Sequence, residues 1–456
     1  MRGSGALVAL LFCALPSLSQ EPAPGRMVEK VICRDSPTKS YALYLPSAYT
    51  QDRAWPVLYV FDSQGIPSEE PLIARFVPGA ERFGWIVASS NDSANAVPMD
   101  ENIRSLGAMW ADTHARFSID DRRAYGFGFS GMARMITMAA LRSPDTLKGV
   151  IVAGSGFPVG LKPAKEARFP YFAITGETDF SYYELLDLEG QLAEAGFTHH
   201  LEVYDGSHQW PPAEVASRAM AWLELLAMRS GVKPKDPSLL AGLWDEELNR
   251  AQVLERDRDW WRAWRAYRAM TLDFADLVDV TPAKQRLAAI EKDPTFQRRL
   301  KERAARDRRD RDFLARAPRI FSAAGPEQRP DTKSQLIADL KIPDWQKRAR
   351  STDRDERLAA ERVLYALYIQ LGLYLPRELM EKKQWDRAIL YLEVADLIDP
   401  DSPRIPYRLA TAYAGKGNKK QALAELEKAL QRGGTDRAEI AADPAFEGLR
   451  EELPSP

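Results

Sequence analysis

The chain has 456 residues, which is long enough for two or three domains with their own cores. Hydrophobic residues make up 45% of it and charged residues 28%, proportions that are ordinary for a soluble globular protein. The formal net charge of −2 argues against a surface adapted as a whole to nucleic acid or anionic membranes, although it leaves a local patch open.

The N-terminus has the pattern of a secretory signal peptide covering residues 1–19. Arg2 supplies the positive start, the apolar run 6–15 is too short to span a bilayer, and Ser17 and Ser19 are small residues placed for cleavage. The alternative is a buried N-terminal helix, which Pro16 disfavours. The pattern therefore predicts a secreted or periplasmic protein, and no later run is long enough to predict a transmembrane segment.

Removal of the signal peptide would leave Cys33 as the only cysteine of the mature chain. An internal disulfide and a cysteine-based metal site are then both excluded. No phosphate-binding glycine loop or redox-cofactor motif is present, and the sequence predicts neither a metal nor a cofactor.

Between residues 27 and 230, short apolar runs alternate with helical segments. This alternation predicts an α/β domain with a mostly parallel sheet, and the early strands suggest an antiparallel start. The predicted strands are 41–45, 57–61, 85–89, 124–129, 149–153, 171–175 and 201–204. The predicted helices are 101–115, 132–141, 182–195 and 212–227.

The character of the chain changes near Gly231, after which charged residues, alanine and leucine recur with helical spacing. We therefore predict an all-α domain over residues 238–456, joined through a linker that contains Pro234 and Pro237. The charge-dense segment 298–311 mixes both signs, which favours a solvated helix face over a nucleic-acid-binding arm. A fragment ending near Ser230 is then expected to fold alone.

Two tetratricopeptide-like units are predicted over about residues 367–434. A pattern of small and apolar residues recurs 34 residues later, which is the period of that repeat. The matching positions are Ala388, Leu392 and Ala395, then Ala422, Leu426 and Ala429. Pro376 weakens the first helix or starts it late. Such repeats suggest a protein or peptide partner. A weaker match at 251–267 is equally consistent with a plain amphipathic hairpin.

A candidate nucleophile lies at the junction of a predicted strand and helix. Ser130 is flanked by Gly128 and Gly131, as a nucleophile elbow requires, and the amide of Gly131 would face a developing oxyanion. The elbow pattern expects glycine two residues after the serine, where this chain has Met132. An ordinary tight turn is the alternative for this segment.

Candidate partners for Ser130 follow the next strands. Asp179 comes after the strand at 171–175, and His208 comes after the strand at 201–204. Serine, aspartate and histidine thus have the order and the strand-end positions of an α/β-hydrolase triad. Glu177 and Asp205 are competing carboxylates, and for His208 an ordinary surface loop is the alternative.

Residues 32–226 resemble bacterial esterases of the α/β-hydrolase superfamily, in the polyhydroxybutyrate-depolymerase and feruloyl-esterase-like branch. The resemblance is carried by the segment 41–46, the strand at 57–61, the elbow at 128–130 and the His-Gln-Trp-Pro segment at 208–211. Relatives often have His-Gly after the third strand, where a backbone amide completes the oxyanion hole. This chain has Asp62-Ser63-Gln64-Gly65 there, so the resemblance assigns that role to the amide of Ser63 or Gln64.

These features predict a serine hydrolase that cleaves a small carboxylic ester through an acyl-serine intermediate. About 200 residues leave little room for a lid, which predicts an open and shallow site. The alternative function is a catalytically inactive scaffold that works through its helical repeats. Met132 and the missing His-Gly favour that alternative.

Overall fold

The computed structural model describes residues 22–64, 71–323 and 331–452. The predicted signal peptide lies outside these residues. Within them, no helix is long and apolar enough to cross a membrane.

The first region of the chain forms one eight-stranded sheet with the strand order β1-β2-β4-β3-β5-β6-β7-β8. The pairs β1–β2 and β2–β4 are antiparallel, and all other neighbours are parallel. The strands are β1 (Met27–Cys33), β2 (Ser36–Tyr44), β3 (Trp55–Phe61), β4 (Ile86–Ser90), β5 (Ile119–Phe129), β6 (Val150–Ala153), β7 (Tyr171–Gly176) and β8 (His199–Tyr204).

Helices cover both faces of the sheet, which is why its central strands are apolar throughout. All seven residues of β3 are buried, for example. The helices of this region are α1 (Val77–Phe83), α2 (Met99–Arg116), α3 (Gly131–Arg142), α4 (Tyr182–Ala195) and α5 (Ala213–Arg229). One core lies between the sheet and α1 and α5, and the other lies under α2, α3 and α4. The predicted α/β fold with an antiparallel start is confirmed. Among its strands and α-helices, two were not predicted: β1, a partly exposed edge strand, and the short α1.

The described part of the chain is helical after β8, and residues 237–452 are here called the helical region. The helices that follow α5 are α6 (Pro237–Arg256), α7 (Trp260–Asp273), α8 (Thr281–Lys292), α9 (Pro294–Ala323), α10 (Thr332–Asp339), α11 (Ile342–Arg348), α12 (Arg354–Ile369), α13 (Leu375–Glu381), α14 (Trp385–Ile398), α15 (Arg404–Gly415), α16 (Lys419–Gln431) and α17 (Arg437–Ala442).

The composition change near Gly231 marks the end of the strands but not the end of the sheet's core. Ala251 of α6, Met270 of α7 and Ile290 of α8 are buried in the same apolar cluster as Phe172 of β7. The later helices have two further clusters of their own. The expectation that a fragment ending near Ser230 is self-sufficient conflicts with this packing.

The segment 298–311 is not simply a solvated helix face, as its mixed charges suggested. It lies in α9, where Arg303 is 6% exposed and Asp310 is fully buried. Both side chains contact the start of α4, since Arg303 donates a hydrogen bond to the Tyr182 hydroxyl and Tyr183 donates one to Asp310. The sequence did not predict this interface between α9 and α4, because alternation of charge alone does not show which charged side chains are buried.

The predicted repeat region contains two antiparallel helix pairs, α13–α14 and α15–α16. Ala388 and Ala395 on α14, and Ala422 and Ala429 on α16, are fully buried, as close helix packing requires. Pro376 lies at the start of α13, directly after a π-helical turn. A π-helical turn, Gln370–Tyr374, joins α12 to α13 without a break.

Candidate active site

Ser130 lies on the sharp turn between β5 and α3. Its backbone has φ 56° and ψ −123°, a conformation that non-glycine residues rarely adopt and that costs on the order of 1–3 kcal/mol. The Ser130 amide donates to the carbonyl of Ala153, which fixes the turn against β6. A Cβ atom on Gly128 would lie 2.2 Å from the carbonyl oxygen of Met132, so this turn requires glycine there.

The structure brings Ser130, His208 and Asp179 into one hydrogen-bonded row. The Ser130 Oγ lies 3.0 Å from His208 Nε2, and His208 Nδ1 lies 3.0 and 3.1 Å from the two carboxylate oxygens of Asp179. Asp179 is 2% exposed. A buried carboxylate in this position fixes the imidazole with its Nδ1 protonated, which leaves Nε2 free to accept the serine proton.

The competing carboxylates lie elsewhere. Glu177 is 1% exposed, but its carboxylate contacts Arg354 and Arg262 of the helical region. Asp205 is exposed to solvent. Asp179 is held instead by Ser181, whose amide and hydroxyl donate to its Oδ1 at 2.8 and 2.9 Å.

The His208 ring lies between two aromatic rings. The ring centroids of Phe129 and Phe180 are 5.0 and 4.3 Å from that of His208. This packing limits rotation of the imidazole, as a catalytic base that must keep one geometry requires.

The candidate oxyanion pocket differs from the expected one. Gly131 begins α3, where amide groups have no acceptor within the helix. Ser63 and Gln64 line the same cavity, but the Ser63 amide donates to the Asp62 carboxylate at 2.7 Å. Burial raises the pKa of Asp62, although hydrogen bonds from Trp210 and from the amides of Ser63 and Gln64 oppose that rise. The two predicted amides therefore already have an acceptor.

Asn95 is a site residue that the sequence did not reveal. A Cβ atom on Gly131 would lie 1.9 Å from Asn95 Oδ1, so the carboxamide lies directly against the first residue of α3. The Asn95 amide donates to the carbonyl of Ser63 at 2.9 Å, which fixes this loop beside the strand end. Its only signal in the sequence is its position shortly after β4, at the edge where the candidate triad also lies.

Met132 is 4% exposed and forms part of the cavity wall beside Ser130. The turn tolerates it because the methionine side chain is flexible and adapts to irregular space. Its carbonyl faces Gly128, so the backbone of the elbow keeps its close approach despite the larger side chain.

The candidate site opens into a cavity of about 1040 Å³ between the sheet edge and the helical region. The site is therefore not the open, shallow surface expected from the size of the α/β region. The described wall on the helical side is formed by Tyr365, Ile369, Leu373, Tyr374, Arg377 and Arg404. Several of these residues belong to the π-helical turn or border it.

Within the described residues, no group of three or more histidine, cysteine, aspartate or glutamate side chains is placed to hold a metal ion. Cys33 is buried, and burial together with Asp112 and Asp92 raises the pKa of its thiol to about 11. A thiol of that kind is a poor nucleophile at neutral pH.

Comparison with family models and with curated proteins gives one match. A model of the tetratricopeptide repeat matches residues 379–442. No curated protein matches the chain by sequence.

Solved structures similar to the first region include esterases and an S-formylglutathione hydrolase. S-formylglutathione hydrolase FrmB of Staphylococcus aureus is 15% identical, with a TM-score of 0.36, over 44% of this chain and 98% of that one. Est1E of Butyrivibrio proteoclasticus is 13% identical, with a TM-score of 0.34, over 44% and 98%. An esterase of the archaeon Pyrobaculum calidifontis is 13% identical, with a TM-score of 0.37, over 45% and 87%.

The strand order and the strand–serine–helix turn define the fold of residues 27–229 as that of the α/β-hydrolases. The chain continues into a helical region that ends with tetratricopeptide repeats.

Proposed function

We propose that this protein is a serine hydrolase that cleaves a carboxylic ester, with Ser130, His208 and Asp179 as its catalytic triad. The observation that carries the proposal is the continuous row from Ser130 Oγ through both ring nitrogens of His208 to Asp179. A serine hydroxyl is a weak nucleophile unless a base takes its proton, and this row provides the base and the group that orients it.

The reaction has two steps. His208 Nε2 accepts the Ser130 proton while Oγ attacks the ester carbonyl, and the proton then passes to the departing alcohol as the acyl-serine forms. A water molecule attacks the acyl group in the second step, and His208 takes the water proton and returns it to Ser130. Asp179 stabilises the imidazolium in both steps without taking its proton.

The oxyanion of each tetrahedral intermediate needs at least one hydrogen-bond donor. The amide of Gly131 at the start of α3 is the first candidate. The second is the amide of Ser63 or Gln64 after a shift of the Asp62 carboxylate, or the side-chain amide of Asn95, which lies against Gly131.

The signal-peptide pattern of residues 1–19 supports a secreted or periplasmic protein. The tetratricopeptide repeats support a protein or peptide partner for the helical region. A Ser-His-Asp triad cleaves an ester without a cofactor, so we propose a small ester as the substrate and no cofactor.

A catalytically inactive scaffold is the second candidate. The hydrogen bond from the Ser63 amide to Asp62 favours it, because a carboxylate beside an oxyanion pocket opposes the developing negative charge.

Labelling by a fluorophosphonate probe separates the two candidates. We expect wild type to be labelled and Ser130→Ala to be unlabelled, with slow labelling of His208→Gln. Ser155→Ala is the matched control, since Ser155 is a buried serine that lines the same cavity. Equal labelling of Ser130→Ala and wild type would contradict the assignment, and no labelling of wild type would favour the scaffold.

A further inference from the structure

Residues 177–183, here called the acid segment, carry Asp179 from the end of β7 to the start of α4. Asp179 faces His208 and accepts hydrogen bonds from Ser181. The segment's other large side chains face the helical region. Both kinds of side chain lie within seven residues, so contacts that hold the outward side chains also restrict the direction of the inward ones.

Glu177 is the first outward side chain, and two arginines of α12 hold it. Arg354 approaches both of its carboxylate oxygens, with Nη1 3.2 Å from Oε1, and Arg362 Nη1 donates to its main-chain carbonyl at 2.7 Å. Arg262 of α7 lies 3.5 Å from the same carboxylate. Glu177 is 1% exposed and Arg362 is 3% exposed, so their contact is shielded from solvent, whereas the Arg354 side chain is 39% exposed.

Tyr182 and Tyr183 are the last outward side chains, and Arg362 also contacts both of them. Its guanidinium lies 4.3 Å from the ring centroid of Tyr182 and 5.4 Å from that of Tyr183. Arg303 of α9 donates to the Tyr182 hydroxyl. Arg362 therefore bridges the two ends of the acid segment, from the carbonyl of Glu177 to the rings at the start of α4.

Phe180, in the middle of the segment, connects the helical region to the base itself. Its ring lies 4.3 Å from that of His208 on one side and 5.9 Å from that of Tyr365 on the other. Tyr365 belongs to the same helix, α12, as Arg354 and Arg362. One helix beyond the α/β region therefore reaches both ends and the centre of the acid segment.

We propose that Arg354 and Arg362 are positioning residues that hold the acid segment so that Asp179 faces His208. The inference rests on the proposed function, because Asp179 matters only if His208 is the base. The sheet region supplies its own contacts, since the Glu177 and Thr178 amides donate to the carbonyls of Tyr204 and Gly206. Those bonds fix the backbone beside β8, whereas the arginines hold the Glu177 side chain and carbonyl at one end of the segment and the two tyrosine rings at the other.

The test compares Arg354→Gln and Arg362→Met with Arg265→Gln. Arg265 of α7 makes a bidentate pair with Glu189 of α4 at 2.9 Å, and it also joins the helical and α/β regions without touching the acid segment. Thermal unfolding of all three variants gives the purely structural effect of losing such a pair. Arg354→Lys keeps the charge and should restore most of the function.

We expect Arg354→Gln and Arg362→Met to lower kcat for a short aryl ester about 10- to 100-fold, with KM changed less than about threefold. Displacement of the acid by about an ångström weakens the base but leaves the acyl and alcohol pockets in place. Arg265→Gln should keep kcat within about twofold of the wild-type value, even if its melting temperature falls by as much as those of the two α12 variants. Equal kcat losses in the three variants, or none in either α12 variant, would overturn the proposal.

A second readout does not depend on activity. The His208 Nδ1 proton, held between two heavy atoms and shielded from solvent, should give a low-field proton NMR resonance that Asp179→Asn removes. We expect Arg354→Gln and Arg362→Met to weaken or shift this resonance and Arg265→Gln to retain it. An unchanged resonance in folded α12 variants contradicts the positioning role, even if the wild-type protein proves inactive. Absence of fluorophosphonate labelling contradicts only the proposed esterase activity. If Arg354→Gln fails to fold, Glu177→Gln removes the same ion pair and takes its place.

Discussion

The two ends of the helical region relate to the sheet in different ways. Helices α6–α8 add apolar side chains to the core on one face of the sheet, so they complete the α/β region physically. Helix α12 and the repeats have a core of their own and reach the sheet region through arginines and aromatic rings at the candidate site. We therefore expect the first contact to matter for folding and the second for the chemistry.

The largest expected effect comes from cutting the chain between these contacts. A fragment ending at Ser230 should be insoluble or lack a cooperative unfolding transition, because it exposes the apolar face that α6–α8 cover. A fragment ending at Asp312 keeps those helices and should unfold cooperatively, but it should hydrolyse esters at least tenfold more slowly because α12 is missing. Circular dichroism melting and ester hydrolysis check both; a stable, active fragment ending at Ser230 would show that the shared core is dispensable.

The contact between β8 and α7 should make stability depend on pH. His200 of β8 is buried, which lowers its pKa, but the nearby carboxylates of Asp273 and Glu202 outweigh burial and raise the pKa to about 9. The folded state therefore holds a proton that the unfolded state, with a pKa of about 6.5, releases first. The resulting stability is complete below about pH 6.5 and is lost as the pH rises through about 9.

We expect the free energy of unfolding to fall by on the order of 1–3 kcal/mol between pH 6.5 and 9 for this reason. The variant His200→Gln should be less stable at pH 6.5 and should show a flatter profile over this interval, measured by urea unfolding. His199→Gln is the neighbouring control, since His199 contacts the carbonyl of Phe197 rather than a carboxylate. A wild-type profile that is flat from pH 6.5 to 9 would contradict the role of His200.

The wall that the helical region adds to the cavity should influence substrate choice more weakly. The described lining residues include no carboxylate and four arginines, of which Arg377 and Arg404 lie on this wall; Arg377 already pairs with Glu381. An ester with a remote carboxylate or sulfonate should therefore be preferred over its neutral counterpart. Arg404→Gln should lower kcat/KM for the anionic ester about three- to tenfold, or about 0.7–1.4 kcal/mol, and leave the neutral ester unchanged. Lys416→Gln, at the other end of the same helix and away from the cavity, is the control; equal losses on both esters would rule out charge recognition.

The smallest effect is expected inside the α/β region, at Met132. The elbow already has its strained serine and both flanking glycines, so Met132→Gly should change the rate of ester hydrolysis by less than about tenfold, or about 1.4 kcal/mol of barrier. Ser130→Ala provides the background rate. Activity that appears only in the glycine variant would mean that Met132 blocks the site, and the scaffold would become the better explanation.

The sequence predicted most of the sheet and the candidate triad because both depend on local patterns. Strands buried on both faces are continuous apolar runs, and parallel strands end at one edge, which brings residues such as Asp179 and His208 together whatever lies between them. The repeat was also visible, because close helix packing demands small residues such as Ala388 and Ala422 at a fixed period. Edge strand β1 was missed because three of its seven residues are exposed and break the apolar pattern.

Only the tertiary structure decided how the helical region meets the sheet and the candidate site. Nothing local separates the buried Arg303 from its exposed neighbour Arg299, because burial of a charge depends on which surface the helix packs against. The same holds for Arg362, more than 180 residues beyond the carbonyl it binds, and for Asn95, whose carboxamide reaches Gly131 through a loop. Local patterns specify strands, turns and repeat periods, whereas pairings between distant side chains follow only once the whole chain has packed.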